Sequence, residues 1–301
     1  MRAYTLSAIA GLAVAAMLPL AASAQDDMAQ VEIKVEAVAE GVYALFGAGG
    51  NMGLAVGEEA TFLVDDQFAP LTAKIQAAIA TVTERPVDFV VNTHWHFDHV
   101  GGNENLGKAG ALIVAHDNVR KRMSSPQEIK ALGRKVPASP NAALPVVTFS
   151  DTTSFHINGD TLKVIHVAHA HTDGDAIVHF ENANVIHMGD TFFNAMYPFI
   201  DISSGSNMRG MIKAADTALA LADEGTKIIP GHGPLSDKAG LQAYRDMLAD
   251  ILAKVEAEIA AGKDLDAIIA AKPTAAYDAA LGGKFISAEQ MVTFAYQSLQ
   301  P

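Results

Sequence analysis

The seven residues Thr93-His94-Trp95-His96-Phe97-Asp98-His99 place four metal-binding side chains within six positions, after the apolar run Val87–Asn92 and before Val100-Gly101-Gly102. Side chains at i and i+2 of an extended or loop segment leave on the same side, so His94 and His96 can grip one cation together. Asp98 and His99, being adjacent, can reach a neighbouring position and hold a second. Burying so many titratable groups without a charge partner is costly. The chain therefore has to fold so that a strand end opens onto a cation. Three further apolar runs end the same way: His171 opens His171-Thr172-Asp173-Gly174-Asp175, Asp190 closes Met188-Gly189-Asp190, and His232 sits in Ile229-Pro230-Gly231-His232-Gly233. Open α/β sheets place their sites at such strand ends. Five histidines and two carboxylates suffice for two borderline-soft divalent cations, zinc first, manganese or iron behind it.

Composition narrows the alternatives. The chain has no cysteine and 11 histidines, which excludes disulfides, iron–sulfur clusters and thiol nucleophiles and leaves only nitrogen and oxygen ligands. A formal charge of -13 argues against a nucleic-acid or anionic-membrane partner, both of which need clustered Lys and Arg. The expected partner is a small-molecule substrate; the sequence is silent on oligomeric state. Arg2, the uncharged apolar run Leu6–Leu20 and the small-x-small site Ala22-Ser23-Ala24 read as a secretory signal over residues 1–24, too short for a membrane anchor. The expected location is periplasmic or secreted.

Short β-runs then alternate with amphipathic helices. Strands are expected from Val31 to Val35 and at Val42–Phe46, Met52–Val56, Ala60–Val64, Val87–Asn92, Ala111–Ala115, Val146–Phe149, Leu162–Val167, Ala176–Phe180, Val185–Met188 and Lys227–Ile229. Helices are expected at Leu71–Val82, at Met208–Ala222 ended by Gly225, and through Tyr244, Leu248, Ile251, Leu252, Val255 and Ile259 to a stop at Gly262. The alternation indicates an α/β layer architecture. A catalytic domain over 25–240 with a C-terminal helical extension over 241–301 packed on it accounts for the pattern.

These residues resemble the metallo-β-lactamase superfamily over nearly the whole chain after the signal. The resemblance rests on Asp65 at the strand end Leu63-Val64-Asp65, the HxHxDH block His94, His96, Asp98 and His99, and then His171, Asp190 and His232 in order. It implies an αβ/βα four-layer sandwich with the site along one edge of its sheets. It also implies that His94, His96 and His171 bind one zinc, that Asp98, His99 and His232 bind a second, and that Asp190 bridges them. Asp65 would orient the HxHxDH loop without touching metal. His169 shares an alternation with His171 and is the competing ligand, although Thr172-x-Gly174-Asp175 looks like what the family shows after its histidine. His116, His156, His166, His179 and His187 read as strand or surface histidines, and Trp95 and Phe97 as packing or site-lining residues.

Water held between two such cations ionises near neutral pH, so a nucleophile exists without Ser or Cys. Asp98 would orient it and accept its proton, and the first metal would stabilise the oxyanion formed from a carbonyl. The expected activity is hydrolysis of a β-lactam-like cyclic amide. The alternatives are an ester, lactone or thioester hydrolase, or an iron-dependent oxidoreductase of the same fold. The main lactamase subclass carries a Cys where Asp190 stands and a substrate-binding Lys where Phe193 stands. Arg209 or Lys213 would have to replace that charge, or else both are solvated helix-face residues. Within Phe192–Met208, the aromatics either wall the site or cap the core, while Ser203, Ser204, Ser206 and Asn207 offer polar contacts. Gly47–Gly53 reads either as a flap or as plain turn residues.

Overall fold

The computed structural model describes residues 28–300; the signal-like segment at 1–24 lies outside the described residues. Strands β1 (Lys34–Ala39), β2 (Val42–Phe46), β3 (Met52–Val56) and β4 (Thr61–Val64) form an antiparallel meander. Helix α1 (Thr72–Ile79) carries the chain across to β5 (Phe89–Val91), which pairs parallel to β4. Short helices α2 (Phe97–Val100) and α3 (Asn103–Lys108) precede β6 (Leu112–His116), and helix α4 (Asp117–Met123) leads into the hairpin β7 (Gln127–Ile129) and β8 (Arg134–Val136). Strand β9 (Val147–Phe149) completes the first sheet in the order β1-β2-β3-β4-β5-β6-β9.

The second sheet consists of β10 (Thr152–Ile157), β11 (Asp160–His166), β12 (Ala176–Phe180), β13 (Val185–His187), β14 (Lys227–Ile229) and β15 (Ser236–Asp237), in chain order. Helix α5 (Met208–Leu221) lies between β13 and β14, whose pairing is parallel. After β15 come α6 (Lys238–Ala260), α7 (Leu265–Ala271), α8 (Asp278–Leu281) and α9 (Ala288–Gln297).

Period-two alternation turns these strands into layers. Phe62 and Val64 of β4 face the second sheet and join Val178, Phe180 and Ile229 in a central cluster. Leu63, between them, faces outward onto Leu71, Ile75 and Ile79 of the α1 region. Ile177, Ile186 and Ile228 of the second sheet face outward onto the third cluster, built with α5, α6 and α9. Three apolar layers between four structural layers make the expected αβ/βα sandwich. Each fully buried Leu, Ile or Phe here contributes about 1.5–3 kcal/mol.

Helix α6 shows the local logic. Asp237 caps its start by accepting from the Gly240 amide at 2.9 Å. Leu241, Tyr244, Leu248, Ile251, Leu252 and Val255 repeat at helical spacing and are buried. Gly262, at φ 81°, ends the run in the left-handed conformation. In α5, the small residues Ala214, Ala215 and Ala218 fill the buried face and let that helix lie close to α6.

Several boundaries differ from the sequence expectation. The first strand begins at Lys34, not Val31, yet Val31, Ile33 and Val35 still pack together on the outer cluster of the first sheet. The helix expected from Leu71 begins with a 3₁₀ turn over Ala69–Leu71 and ends by Ile79. Helix α5 stops at Leu221, short of Ala222, and the Asp223 carboxylate then accepts from the Gly225 amide at 2.8 Å, which folds the chain away.

Candidate metal centre

The parallel strands β4, β5 and β6 point their C-terminal ends to one edge of the sandwich, and β13 and β14 point theirs to the same place. The turn after β4 is the cradle. Asp65, held at φ 61° in a conformation unfavourable to residues other than glycine, accepts from the Thr93 amide and hydroxyl at 2.7 Å each, and its other partner is His99 Nδ1 at 2.8 Å. Asp66 accepts from the Gly102 amide at 2.8 Å, and the Gln67 side chain donates to the Gly50 carbonyl at 2.7 Å. Asp65 thus orients the HxHxDH loop as expected. Asp66 and Gln67 were not anticipated, although they adjoin Asp65 in sequence.

The close approach of Gly50 answers the question left open for Gly47–Gly53. A Cβ at Gly50 would overlap the His99 ring, and the Gly50 amide donates to the Asp98 carbonyl at 3.1 Å. From Gly50 onward the segment is packed beneath the site and runs into β3, whereas Gly47 and Ala48 are exposed turn residues. Gly231 has the same function beside Asp190, where a side chain would meet the carboxylate.

Two groups of ligand-type side chains converge on this edge: His94, His96, His171 and Asp190 in one, Asp98, His99 and His232 in the other, the donor atoms of each group within 4.8 Å of one another. Asp190 belongs to both by position. Its Oδ2 lies 3.4 Å from His171 Nε2 and 3.4 Å from His232 Nε2, and its Oδ1 lies 3.0 Å from His99 Nε2. His169 stays outside: it is exposed, with Nδ1 at 2.7 Å from the Gly205 carbonyl. His116 and His166 stack on each other at 3.7 Å, His156 is exposed, and His179 is half-buried. His187 is buried and bonds the Asn51 carbonyl at 3.0 Å. None of these five is in either group.

The hydrogen bonds show what the site requires. His171 Nδ1 donates to the Phe199 carbonyl at 2.8 Å, His96 Nε2 to Asp201 at 3.1 Å, His99 Nδ1 to Asp65, and His94 Nδ1 to the Thr93 hydroxyl at 3.1 Å. With the outer nitrogens of His94, His96 and His171 protonated in this way, their inner nitrogens carry lone pairs directed into the cavity. His171 Nε2 and His96 Nδ1 then face each other at 2.8 Å with no proton between them. His94 Nε2, His99 Nε2 and Asp190 Oδ1 are buried without a hydrogen-bond partner. Lone pairs and carboxylate oxygens crowded together in this way repel unless cations lie among them. The donor set fits divalent metal.

Protonation differs between the two groups. Burial, reinforced by the charge of His99, holds His94 well below the ordinary histidine range, and burial takes His171 down to about 4. Burial pulls His99 and His232 the same way, but carboxylates outweigh it: Asp190, Asp98 and Asp65 raise His99, and Asp190 with Asp98 raises His232 to about 9. Against its own burial, the charges of His99 and His232 bring Asp98 down to about 2.

Asp201 is the functional residue that sequence reasoning missed. It is buried, and the hydroxyls of Ser203 and Ser204 donate to it at 2.5 Å each. Those serines anchor Asp201, which orients His96, so their polar contacts are internal. The rest of Phe192–Met208 divides between the two expectations. Phe192 and Tyr197 are core, with Phe192 packed on Tyr244 at 4.9 Å. Phe193 stacks on His232 at 5.2 Å, and Phe199 lies 6.0 Å from His96. Asn207 caps α5. Trp95 packs in the core, while Phe97 lines the cleft.

A cleft of about 300 Å³ opens over both groups. Its lining includes His96, Asp98, Asp190 and His232 on the floor and Ile129, Leu132, Phe193, Met196, Phe199 and Phe285 on the walls, and among the described residues it contains no Lys or Arg. Arg209 pairs instead with exposed Glu256 at 2.9 Å, and Lys213 is exposed on α5. Neither supplies the cation that a bound carboxylate would need; both are solvated helix-face charges.

Among curated proteins, a hydroxyacylglutathione hydrolase of Erythrobacter litoralis (strain HTCC2594) is 32% identical over 108 residues, 36% of this chain and 35% of that one. One from Pelagibacter ubique (strain HTCC1062) is 28% identical over 145 residues, 48% of this chain and 51% of that one. The chain therefore spans about half, or less, of the length of these relatives. Among solved structures, a metallo-beta-lactamase from Pontibacter korlensis superposes with a TM-score of 0.60 at 20% identity, covering 73% of this chain and 100% of that one, a likeness of fold. A family model described as the metallo-beta-lactamase superfamily matches residues 46–235, which include every residue of both ligand groups, and the chain belongs to that superfamily.

Proposed function

We propose that the protein is a dinuclear zinc hydrolase that cleaves an ester-type carbonyl bond, in an ester, lactone or thioester, more readily than a β-lactam. The supporting observation is that four imidazoles have their outer nitrogens engaged while the inner nitrogens of His94, His99 and His171 face Asp190 and that of His96 faces His171. His94, His96 and His171 would hold one zinc, Asp98, His99 and His232 the other, with Asp190 between them. Bound there, the ions would lower the pKa of a coordinated water and polarise the substrate carbonyl.

The chain's own residues do the rest. Asp98, ionised and partly open to the cleft, is placed to orient the attacking water and take its proton. Asp65, Asp201 and the Phe199 carbonyl fix three rings so that little reorganisation accompanies reaction. Phe193 and Phe199 form apolar walls beside the floor. A cyclic amide loses ground because a lactam carboxylate finds no Lys or Arg among the lining residues, and the curated relatives are named hydroxyacylglutathione hydrolases.

Metal analysis of the purified protein separates zinc from iron. A panel of a cephalosporin, a carbapenem, a lactone and a thioester, with and without chelator, tests the reaction. Chelator-sensitive cleavage of the lactone or thioester, at rates above the lactams, is expected. Faster lactam opening, or turnover indifferent to chelator, would overturn the proposal.

A further inference from the structure

The curated relatives are named hydroxyacylglutathione hydrolases, and glutathione carries carboxylates, whereas the cleft of this chain has apolar walls. We infer that the group bound beside the scissile carbonyl is uncharged and apolar, a medium-length aliphatic acyl chain, and that Leu132 and Phe285 determine this preference. The inference rests on the hydrolase reading and specifies its substrate.

Two segments distant in sequence build the wall. The hairpin region contributes Ile129, which is buried, and Leu132, which is 37% exposed. The C-terminal segment contributes Phe285, 55% exposed, from a stretch that lies beyond the part of the chain matched by the superfamily model. Exposed side chains of this size are costly to leave in water, and here they stand on the rim of a cleft whose other walls are Phe193, Met196 and Phe199. An apolar ligand would cover both. Phe285 also packs edge-on against Phe199 at 6.1 Å, so the rim residue is continuous with the aromatic that faces His96.

Charge points the same way. Among the described lining residues, the only acidic or imidazole side chains are Asp98, Asp190, His96 and His232, all of them on the floor. Of the cations near the wall in sequence, the Lys284 ammonium donates to the Ala195 carbonyl, the Arg134 guanidinium lies over the Phe97 ring at 3.3 Å, and Lys130, between Ile129 and Leu132, is exposed and not part of the lining. An anionic substituent lying against these walls, away from the floor, would be desolvated beside apolar side chains alone. A volume of about 300 Å³ is at the small end for ligand sites and suits a short chain, not a polycyclic body.

The test uses zinc-loaded protein with acetyl, hexanoyl and succinyl thioesters of N-acetylcysteamine, a neutral thiol, and with the hexanoyl thioester of glutathione. It also uses calorimetric binding of hexanamide, acetamide and succinamate. The neutral hexanoyl thioester should exceed the acetyl and succinyl thioesters in kcat/KM by about tenfold or more. It should also exceed its glutathione counterpart, and hexanamide should bind more tightly than either other amide. Leu132→Ala and Phe285→Ala should each lower the hexanoyl-to-acetyl ratio several-fold through KM, and Phe285→Lys should shift preference toward the succinyl probe. Cleavage of charged and neutral thioesters at equal rates, or equal binding of the three amides, overturns the inference while leaving a hydrolase. Tight hexanamide binding with no thioester or ester cleaved by zinc-loaded protein overturns the hydrolase reading instead.

Discussion

The two ligand groups are neighbours that share Asp190, yet they are built on opposite principles. In the first, the side chains of His94, His96 and His171 are at most 5% exposed, and the outer nitrogen of each ring is already hydrogen-bonded. His94 and His171 are neutral at ordinary pH and wait as bare donors. In the second, Asp98 and His232 are 19% and 25% exposed, and carboxylates keep His99 and His232 protonated in the metal-free chain. The first group is organised by its hydrogen bonds before a cation arrives, whereas in the second the cation has to displace protons. The same ligand types can therefore give a tight, pH-tolerant position and an open, pH-sensitive one a few ångströms apart.

The largest effect should come from removing what the groups share. Asp190→Ala should leave repelling imidazoles in both and reduce turnover by more than about 10³-fold, since metal assistance is worth several kcal/mol. Metal content should fall with it. Two ions and full turnover in this variant, measured by mass spectrometry and steady-state kinetics, would end the bridging assignment.

Asp201→Ala touches the first group alone. Loss of a carboxylate that orients a ligating histidine typically costs about 10–100-fold in affinity or activity. Titration against a competing chelator should show the tighter of two binding steps weakened and the weaker one unchanged. If the weaker step moves instead, the division between the groups is wrong.

The pH dependence should also divide. His232 has its pKa raised to about 9, so metal entering the second group must release its proton at any lower pH. Affinity there should rise by about tenfold per pH unit for each proton released, the contribution of His232 ending near pH 9. His171, lowered to about 4, and His94, also lowered, add no such dependence between pH 6 and 9 in the first group. Calorimetry in buffers of different ionisation enthalpy measures the protons directly; equal release at both steps would erase the contrast. The smallest effect is expected at Arg209→Ala, within about 0.5 kcal/mol in stability and without change in KM, because its ion pair with Glu256 is solvated. A clear rise in KM would return Arg209 to the site.

The difference between what could and could not be read from the sequence follows from range. His94, His96, Asp98 and His99 are specified by spacing within one strand end, and Asp190 and His232 each end an apolar run, so they were visible. The layers were legible because strands such as Phe62-Leu63-Val64 alternate between two buried faces. Asp201 was not visible: it lies in a loop without periodicity, and its role depends on His96, 105 residues away. The hairpin β7–β8 was missed because its strands are three residues each and mostly polar. Phe285 carries no local signal at all, since only the return of the C-terminal segment to the cleft gives it a neighbour in Phe199. The aromatics of Phe192–Met208 split between core and cleft because consecutive residues in that loop point in opposite directions, a fact fixed by tertiary packing.

Asn51 ties the early part of the chain to the turn that bears His232. Its side-chain amide donates to the carbonyls of Pro230 at 2.9 Å and Gly233 at 2.8 Å, and its backbone amide donates to Gly231 at 2.7 Å. The first of these contacts joins residues 179 apart in sequence. Closing so long a loop is an entropic cost that falls on the chain before any cation can bind there, because the second ligand group does not exist until the closure is made. Metal bound after that closure would have little to offer the folding step and would act on the lifetime of the finished molecule by slowing its unfolding.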